Sequence, residues 1–226
     1  MAEAGKPNGP SDWFEPLYAQ ADGDTDQVPW ALPGAVPYLT DWLRQHPLKD
    51  WPENRPESRS ENRPESKSRS AVVVGCGLGD DAEALAKAGF EVTGFDISES
   101  AIAWAKKRFP QSAVNYVTAD LFNLPDDWLG KFDLVFDFRT IQALPLSVRR
   151  EVIEKIASLG APGGIVLIAT YVRASGQDPG ESAPWPLSAD ELAHFERSGL
   201  EVVQQEHFTK RDNRFCDRTL VQYRVP

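Results

Sequence analysis

The chain has 226 residues, enough for one domain of generous size, and its 41 % hydrophobic and 26 % charged residues are ordinary for a globular protein. A formal net charge of −10 argues against nucleic acid or an anionic membrane as partner, because the basic-rich stretches Arg55 to Arg69 and Lys210 to Arg218 both contain acids. The polar start has no secretory pattern, no run is apolar enough to cross a bilayer, and Cys76 and Cys216 offer neither a disulfide framework nor metal-ligand spacing, so a reducing cytoplasm and no metal are expected.

Trp13, Phe14, Leu17 and Tyr18 fall at helical spacing, Pro29-Trp30 opens a loop, and Val36 to Leu43 reads as a second short helix. Glu53 to Ser60 and Glu61 to Ser68 are a tandem octapeptide, identical except that Arg59 becomes Lys67. It contains no hydrophobic residue to offset the entropy of ordering and reads as a surface linker. Beyond it, strand and helix alternate. Ala71 to Val74 is an apolar strand bounded by glycine, and Asp80 to Ala88 a helix closed by Gly89. Phe90 to Phe95 is the second strand, and Ser98 caps a helix over Glu99 to Arg108. Val114 to Thr118 and Phe132 to Phe136 are the third and fourth strands. Ser147 is expected to cap a helix running to about Leu159, and Gly164 to Tyr171 is the fifth strand. Ser188 and Glu191 form a capping box for Ala189 to Ser198, and Glu201 to Phe208 with Thr219 to Val225 make a closing hairpin.

This alternation predicts an α/β fold: a Rossmann-like, seven-stranded, mainly parallel sheet with one antiparallel strand and helices on both faces. The expected organisation is an N-terminal aromatic segment (residues 1–52), the repeat linker (53–70) and a core (71–226), one domain overall. In such folds a ligand sits outside the carboxyl ends of the strands.

The first strand runs into Gly75-Cys76-Gly77-Leu78-Gly79, where glycines permit a sharp turn and close approach of a ligand. Asp96 ends the second strand, where an acid can grip ribose hydroxyls, and Asp120 ends the third, where a carboxylate could accept from an adenine amino group. The dinucleotide fingerprint Gly-x-Gly-x-x-Gly is not met, because its third glycine position is Asp80, followed by Asp81. Two carboxylates at a helix start suit the macrodipole but repel a diphosphate. S-adenosylmethionine (SAM) has no phosphate and carries a sulfonium and an ammonium, so an acidic pocket fits it better than NAD. Asp80 and Asp81 are also readable as residues that stabilise the helix start and nothing more.

Gly75 to Gly79, Asp96-Ile97-Ser98, Asp120-Leu121 and Phe132-Asp133-Leu134-Val135 resemble the core motifs of class I SAM-dependent methyltransferases, covering Ala71 to Tyr171. Val73 stands where an acid is usual, a departure shared with the thiopurine, halide and thiol methyltransferase branch. The Pro29-Trp30 element, Phe136-Asp137-Phe138-Arg139, Ala143-Leu144-Pro145 with Arg149, and the loop ending in Ala183-Pro184-Trp185-Pro186-Leu187-Ser188 resemble the same branch. The resemblance implies that Trp13, Tyr18 and Trp30 fold over the donor, where aromatic faces attract a sulfonium, although they could simply pack a flap. The candidate donor-site residues are therefore Trp13, Tyr18, Trp30, Gly75, Gly77, Gly79, Asp81, Asp96, Ile97, Asp120, Leu121, Asp137 and Phe138. Tyr171 and Arg139 are the catalytic candidates on the acceptor side, with Arg173 and Trp185 beside them.

Methyl transfer is an in-line displacement governed by positioning and desolvation. None of His46, His194 and His207 stands where a general base is expected. Arg139 reads either as a holder of an anionic acceptor or as a partner of Asp137. The absence of Asn/Asp-Pro-Pro-aromatic after the fourth strand, and of a Pro-Cys nucleophile, disfavours nucleic-acid methylation. The expected reaction takes SAM to S-adenosylhomocysteine (SAH) and methylates a small thiol or halide. O-methylation and a non-catalytic SAM- or nucleotide-binding module are the alternatives. The acceptor's identity and the oligomeric state are not legible, with a monomer favoured.

Overall fold

The structure is a computed structural model that describes residues 9–51, 68–208 and 217–226. The tandem octapeptide, apart from Ser68, and Cys216 lie outside the described residues.

Two helices, α1 (Phe14–Ala21) and α2 (Pro37–Gln45), precede the core. There follow β1 (Ser70–Val74), α3 (Asp80–Lys87), β2 (Glu91–Asp96), α4 (Glu99–Arg108), β3 (Asn115–Thr118) and β4 (Phe132–Phe138). The chain continues through α5 (Thr140–Ala143), α6 (Arg149–Ser158), β5 (Gly160–Tyr171), α7 (Ala189–Arg197), β6 (Glu201–Phe208) and β7 (Arg218–Arg224). The seven strands form one sheet in the order β3-β2-β1-β4-β5-β7-β6. β7 runs antiparallel to both its neighbours and the other pairs are parallel, which is the expected architecture.

Successive side chains of the central strands point to opposite faces and feed two apolar layers. Val72, Val74, Val135 and Ile168 pack against Ile153 and Ile156 of α6 and Phe195 of α7. Ala71, Val73, Leu134 and Phe136 pack against Leu85 of α3, Ile102 of α4 and Leu39 and Trp42 of α2. The Trp42 indole N–H donates to buried Gln222 Oε1 at 2.9 Å, so α2 is fixed to β7 as well as to its apolar neighbours.

Most expected boundaries move by a residue or two, and two of the shifts show their cause. Ser147 does not cap α6: it lies inside a 3₁₀ turn, Leu146–Val148, and α6 starts from Val148 with no side-chain cap. β5 begins at Gly160 rather than Gly164, because Gly160 pairs with Phe132 before a register shift. Gly164 itself permits that packing, since a Cβ there would lie 2.7 Å from the Ala161 carbonyl oxygen and 3.0 Å from that of Phe132. Ser188 and Glu191 form the capping box of α7 as expected, and Ser98 caps α4 by accepting from Ala101 N–H at 3.0 Å. No described helix is long and apolar enough to cross a membrane.

Candidate active site

A cavity of about 720 Å³ opens at the carboxyl ends of β1, β2, β4 and β5. That volume is ample for a small-molecule site. Its floor is Val74 and Gly75. Gly75 has φ +57°, and a Cβ there would lie 2.5 Å from Thr140 Oγ1, so this position tolerates glycine alone. Thr140 Oγ1 donates to the Val74 carbonyl at 3.0 Å and packs β4's end against the turn.

Asp96 and Ile97, ending β2, form one wall, and Asp120, Leu121 and Phe122 continue it. Asp96 is buried and accepts from Gly77 N–H at 2.9 Å through one oxygen and from Ser98 N–H at 3.0 Å through the other. Burial raises its pKa, and the amides of Ser98, Gly77 and Ile97 oppose that rise. A carboxylate that spends one acceptor position per oxygen keeps capacity for further hydroxyl donors. Asp120 Oδ1 accepts from Phe122 N–H at 2.9 Å and starts a short 3₁₀ turn that brings Leu121 and Phe122 to the cavity.

The roof is aromatic. Trp13, Phe14, Leu17 and Tyr18 of α1 and its N-terminus, with Pro29 and Trp30, cover the opening. Trp13 stacks on Phe14 with centroids 4.0 Å apart and meets Trp30 edge-on at 5.6 Å. The Trp30 indole donates to the Tyr18 hydroxyl at 2.6 Å. Burial and the nearby Asp96 charge push the Tyr18 phenol well up, so it stays protonated.

The far end is built from Phe138, Arg139, Tyr171 and the loop segment Glu181 to Trp185. Arg139 has a left-handed backbone, φ +75°, rare for a residue with a side chain. Its guanidinium lies over the Phe138 ring at 4.5 Å, donates to the Trp30 carbonyl at 3.2 Å, and leaves its buried Nε without a partner. Arg218, from β7, stands behind Tyr171 and donates to both the Tyr171 hydroxyl (3.1 Å) and the Tyr38 hydroxyl (3.0 Å). Burial, and to a smaller degree Arg218, hold the Arg139 pKa below its ordinary value.

Of the expected site residues, Trp13, Tyr18, Trp30, Gly75, Asp96, Ile97, Asp120, Leu121, Phe138, Arg139 and Tyr171 meet at this cavity. Gly77, Gly79, Asp81 and Asp137 are not on its wall. Gly77 serves the turn from behind: a Cβ there would lie 2.9 Å from the Tyr18 hydroxyl. Asp81 accepts from Val36 N–H at 2.8 Å, and burial pushes its carboxyl up to about 6. Asp80 pairs with Arg108 at 2.5 Å. The protein thus uses both acids at the start of α3 internally, and they give less ground for rejecting a phosphate ligand than their charge alone suggests. Asp137 is fully buried on the inner face of β4 and does not pair with Arg139. Trp185 reaches the cavity, whereas Arg173 is turned away to Glu191, at 2.5 Å. None of the three histidines lines the cavity.

Gln142, Arg218 and Glu15 carry parts that the sequence does not announce. Gln142 Oε1 accepts from Thr170 Oγ1 at 2.9 Å and Tyr171 N–H at 2.8 Å, and its carbonyl accepts from Trp185 N–H at 2.7 Å. It therefore sets both the end of β5 and the loop beside it.

Residues 71–164 match the family model of a methyltransferase domain. The sheet matches the magnesium protoporphyrin IX methyltransferase of Synechocystis solved with SAM, with a TM-score of 0.67, 16% identity and 100% of each chain covered. The fold is that of the SAM-dependent methyltransferases. Among curated relatives of this methyltransferase-fold chain, the ubiquinone biosynthesis O-methyltransferase of Methylococcus capsulatus is 36% identical over 107 residues, 46% of this chain and 44% of that protein. The probable thiol methyltransferase 2 of Arabidopsis thaliana is 33% identical over 117 residues, 49% of this chain and 51% of that protein. The chain spans about half the length of the curated relatives it matches. The residues on the cavity fit SAM: a buried acid and a glycine turn at one end, and aromatic faces above. Among the described residues no His, Cys, Asp and Glu cluster could hold a metal ion.

Proposed function

We propose that the protein is a SAM-dependent methyltransferase that methylates a small soft nucleophile, a thiol or a halide, by in-line displacement. The observation that carries this reading is the cavity's charge polarity. Asp96 and Asp120 lie towards one end, and Arg139, with Arg218 behind Tyr171, at the other, where the exposed Glu181 of the loop is the acid on the wall. Among the described arginines that are buried or half-buried, Arg69, Arg108, Arg149 and Arg173 each have a carboxylate partner. Arg139 and Arg218 form no direct ion pair among the described residues; the carboxylate that acts on Arg139, Asp81, does so through space and lies off the cavity wall. Half-buried cations without a directly paired carboxylate favour an anion beside them.

SAM supplies an already activated methyl group, so the residues here have to bind, align and exclude water rather than activate a leaving group. Asp96, Ile97, Asp120 and the Gly75 turn would hold the donor, and Trp13, Tyr18 and Trp30 would cover it. Arg139 would hold the acceptor's charge. Arg218 donates to the Tyr171 oxygen, which leaves the Tyr171 proton free to point at the acceptor. No histidine lines the wall, and a thiol or halide, which ionises more readily than an ordinary alcohol, makes the least demand on a base there. The second reading is O-methylation, favoured by the name of the Methylococcus relative.

Transfer from methyl-labelled SAM to a panel of thiols, halides and phenols tests both. Labelled thiol or halide products are expected. Products from phenols alone would overturn the soft-nucleophile assignment, and SAH binding without turnover of any acceptor would favour a binding module.

A further inference from the structure

We infer that Glu15 is a positioning residue that fastens the aromatic roof over the donor end of the cavity. The inference rests on the donor site proposed above. α1 is eight residues long and has no side-chain cap at its N-terminus, so it depends on tertiary contacts to exist. Its cavity-side residues, Phe14, Leu17 and Tyr18, are the roof itself. Glu15 points the other way, to the start of α4. Its carboxylate accepts from Ser98 Oγ at 2.6 Å, Ser100 Oγ at 2.6 Å and Ser100 N–H at 3.1 Å.

These partners are well placed for a latch. Ser98 caps α4 and follows Asp96-Ile97, the donor wall, so one carboxylate ties the roof to the wall it covers. A negative charge at the N-terminus of a ten-residue helix is also favourable in its own right. Burial would raise the Glu15 pKa, yet the bonds from Ser100 and Ser98 outweigh it and hold the group below its ordinary value, as a charge. The other polar fastenings of the segment to the core lie downstream of α1, among them the Trp30 carbonyl on Arg139, Val36 N–H on Asp81, the Tyr38 hydroxyl on Arg218 and Trp42 on Gln222. Among the described residues Glu15 is therefore the side chain that ties the first helix to the core by polar bonds, Tyr18 being bonded to Trp30 of the same segment, and its loss frees α1 while leaving the later attachments in place.

The test compares Glu15→Ala and Glu15→Gln with the parent chain by hydrogen exchange, SAH calorimetry and stopped-flow tryptophan fluorescence. Glu15→Ala is expected to speed exchange in residues 14–21 without changing β1 and β4, and to weaken SAH binding ~10-fold through faster dissociation, a change of about 1.4 kcal/mol. Glu15→Gln, which keeps an acceptor oxygen, should fall between. Unchanged exchange in α1 overturns the latch, and this arm holds whether or not SAH binds. Faster exchange with unchanged SAH affinity overturns the positioning role. A parent chain that does not bind SAH refutes the donor site instead, and the latch is then judged on exchange.

Discussion

Replacing Asp137 by Asn should make the protein's stability less sensitive to pH between about 4 and 7. Asp137 sits inside β4, fully buried, and neither carboxylate oxygen makes a hydrogen bond. The Thr140 hydroxyl and the Thr140 and Ile141 amides approach it without reaching hydrogen-bond geometry. Burial consequently pushes its carboxyl from 3.8 up to about 7, and those neighbours offset little of it. The folded state then holds the proton over a range where the unfolded chain has lost it. Stability contributed by the protonated form is full below the unfolded value and declines as pH rises to the folded one. At 1.36 kcal/mol per pKa unit, the loss is on the order of 4 kcal/mol at neutral pH and above. Urea unfolding of both proteins at half-unit steps from pH 4.5 to 8 measures it. The stability of Asp137→Asn relative to the parent should climb by up to ~1.4 kcal/mol per pH unit and level off near pH 7. An unsatisfied Asn amide adds a constant offset, so the slope of the difference is the test. A difference that stays flat within about 0.5 kcal/mol would refute the assignment of a protonated, partnerless carboxyl to this position.

Asp96→Asn should stay folded by circular dichroism, because Asn keeps one of the two oxygens that receive the Gly77 and Ser98 amides. Its SAH affinity by calorimetry should fall at least ~10-fold, and parent-like affinity would remove Asp96 from the donor site. Trp42→Phe strands the buried Gln222 acceptor, and should cost about 1–3 kcal/mol in urea unfolding. A loss below about 0.5 kcal/mol would show that this bond does not hold α2 to β7.

The sheet was legible because its central strands β1 and β4 are short apolar runs buried on both faces, and such runs read plainly. Asp96 at the end of β2 and Asp120 just after β3 were legible for a related reason: the carboxyl ends of parallel strands lie along one edge of the sheet. Boundaries governed by non-local packing were not. Gly160 to Gly163 looks like a turn, and becomes strand because Gly160 pairs with Phe132 and Gly163 N–H donates to the Val225 carbonyl just after β7. Ser147 has a cap's chemistry, but Pro145 and Leu146 lead into a tight turn that overruns it. Side chains whose meaning is their partner were the least legible. Asp81 is a recognisable helix-start acid, yet nothing local pairs it with Val36, 45 residues earlier. Arg218 takes its place from the antiparallel return of β7, which brings it to Tyr171, 47 residues away. Glu15 belongs to an aromatic segment that draws the eye to its tryptophans, and its partners lie 83 and 85 residues on.

The order of the sheet explains why the cavity is polar end to end. β1 and β2 deliver the Gly75 turn and Asp96 on one side of the switch in strand order, while β4 and β5 deliver Arg139 and Tyr171 on the other. On the proposed reading, a cationic donor and an anionic acceptor would be sorted to opposite sides of one crevice without any residue having to touch both. The apolar roof strengthens this sorting, since charges act over longer range where water is excluded. It also gives the reaction a direction. On the proposed reading, transfer turns a positive donor and a negative acceptor into two species with less charge, so both ends of the cavity hold the products less tightly than the reactants. Release then needs no displacing ligand. On that reading it would require that the roof open, and the fastening of α1 would then set the rate of exchange.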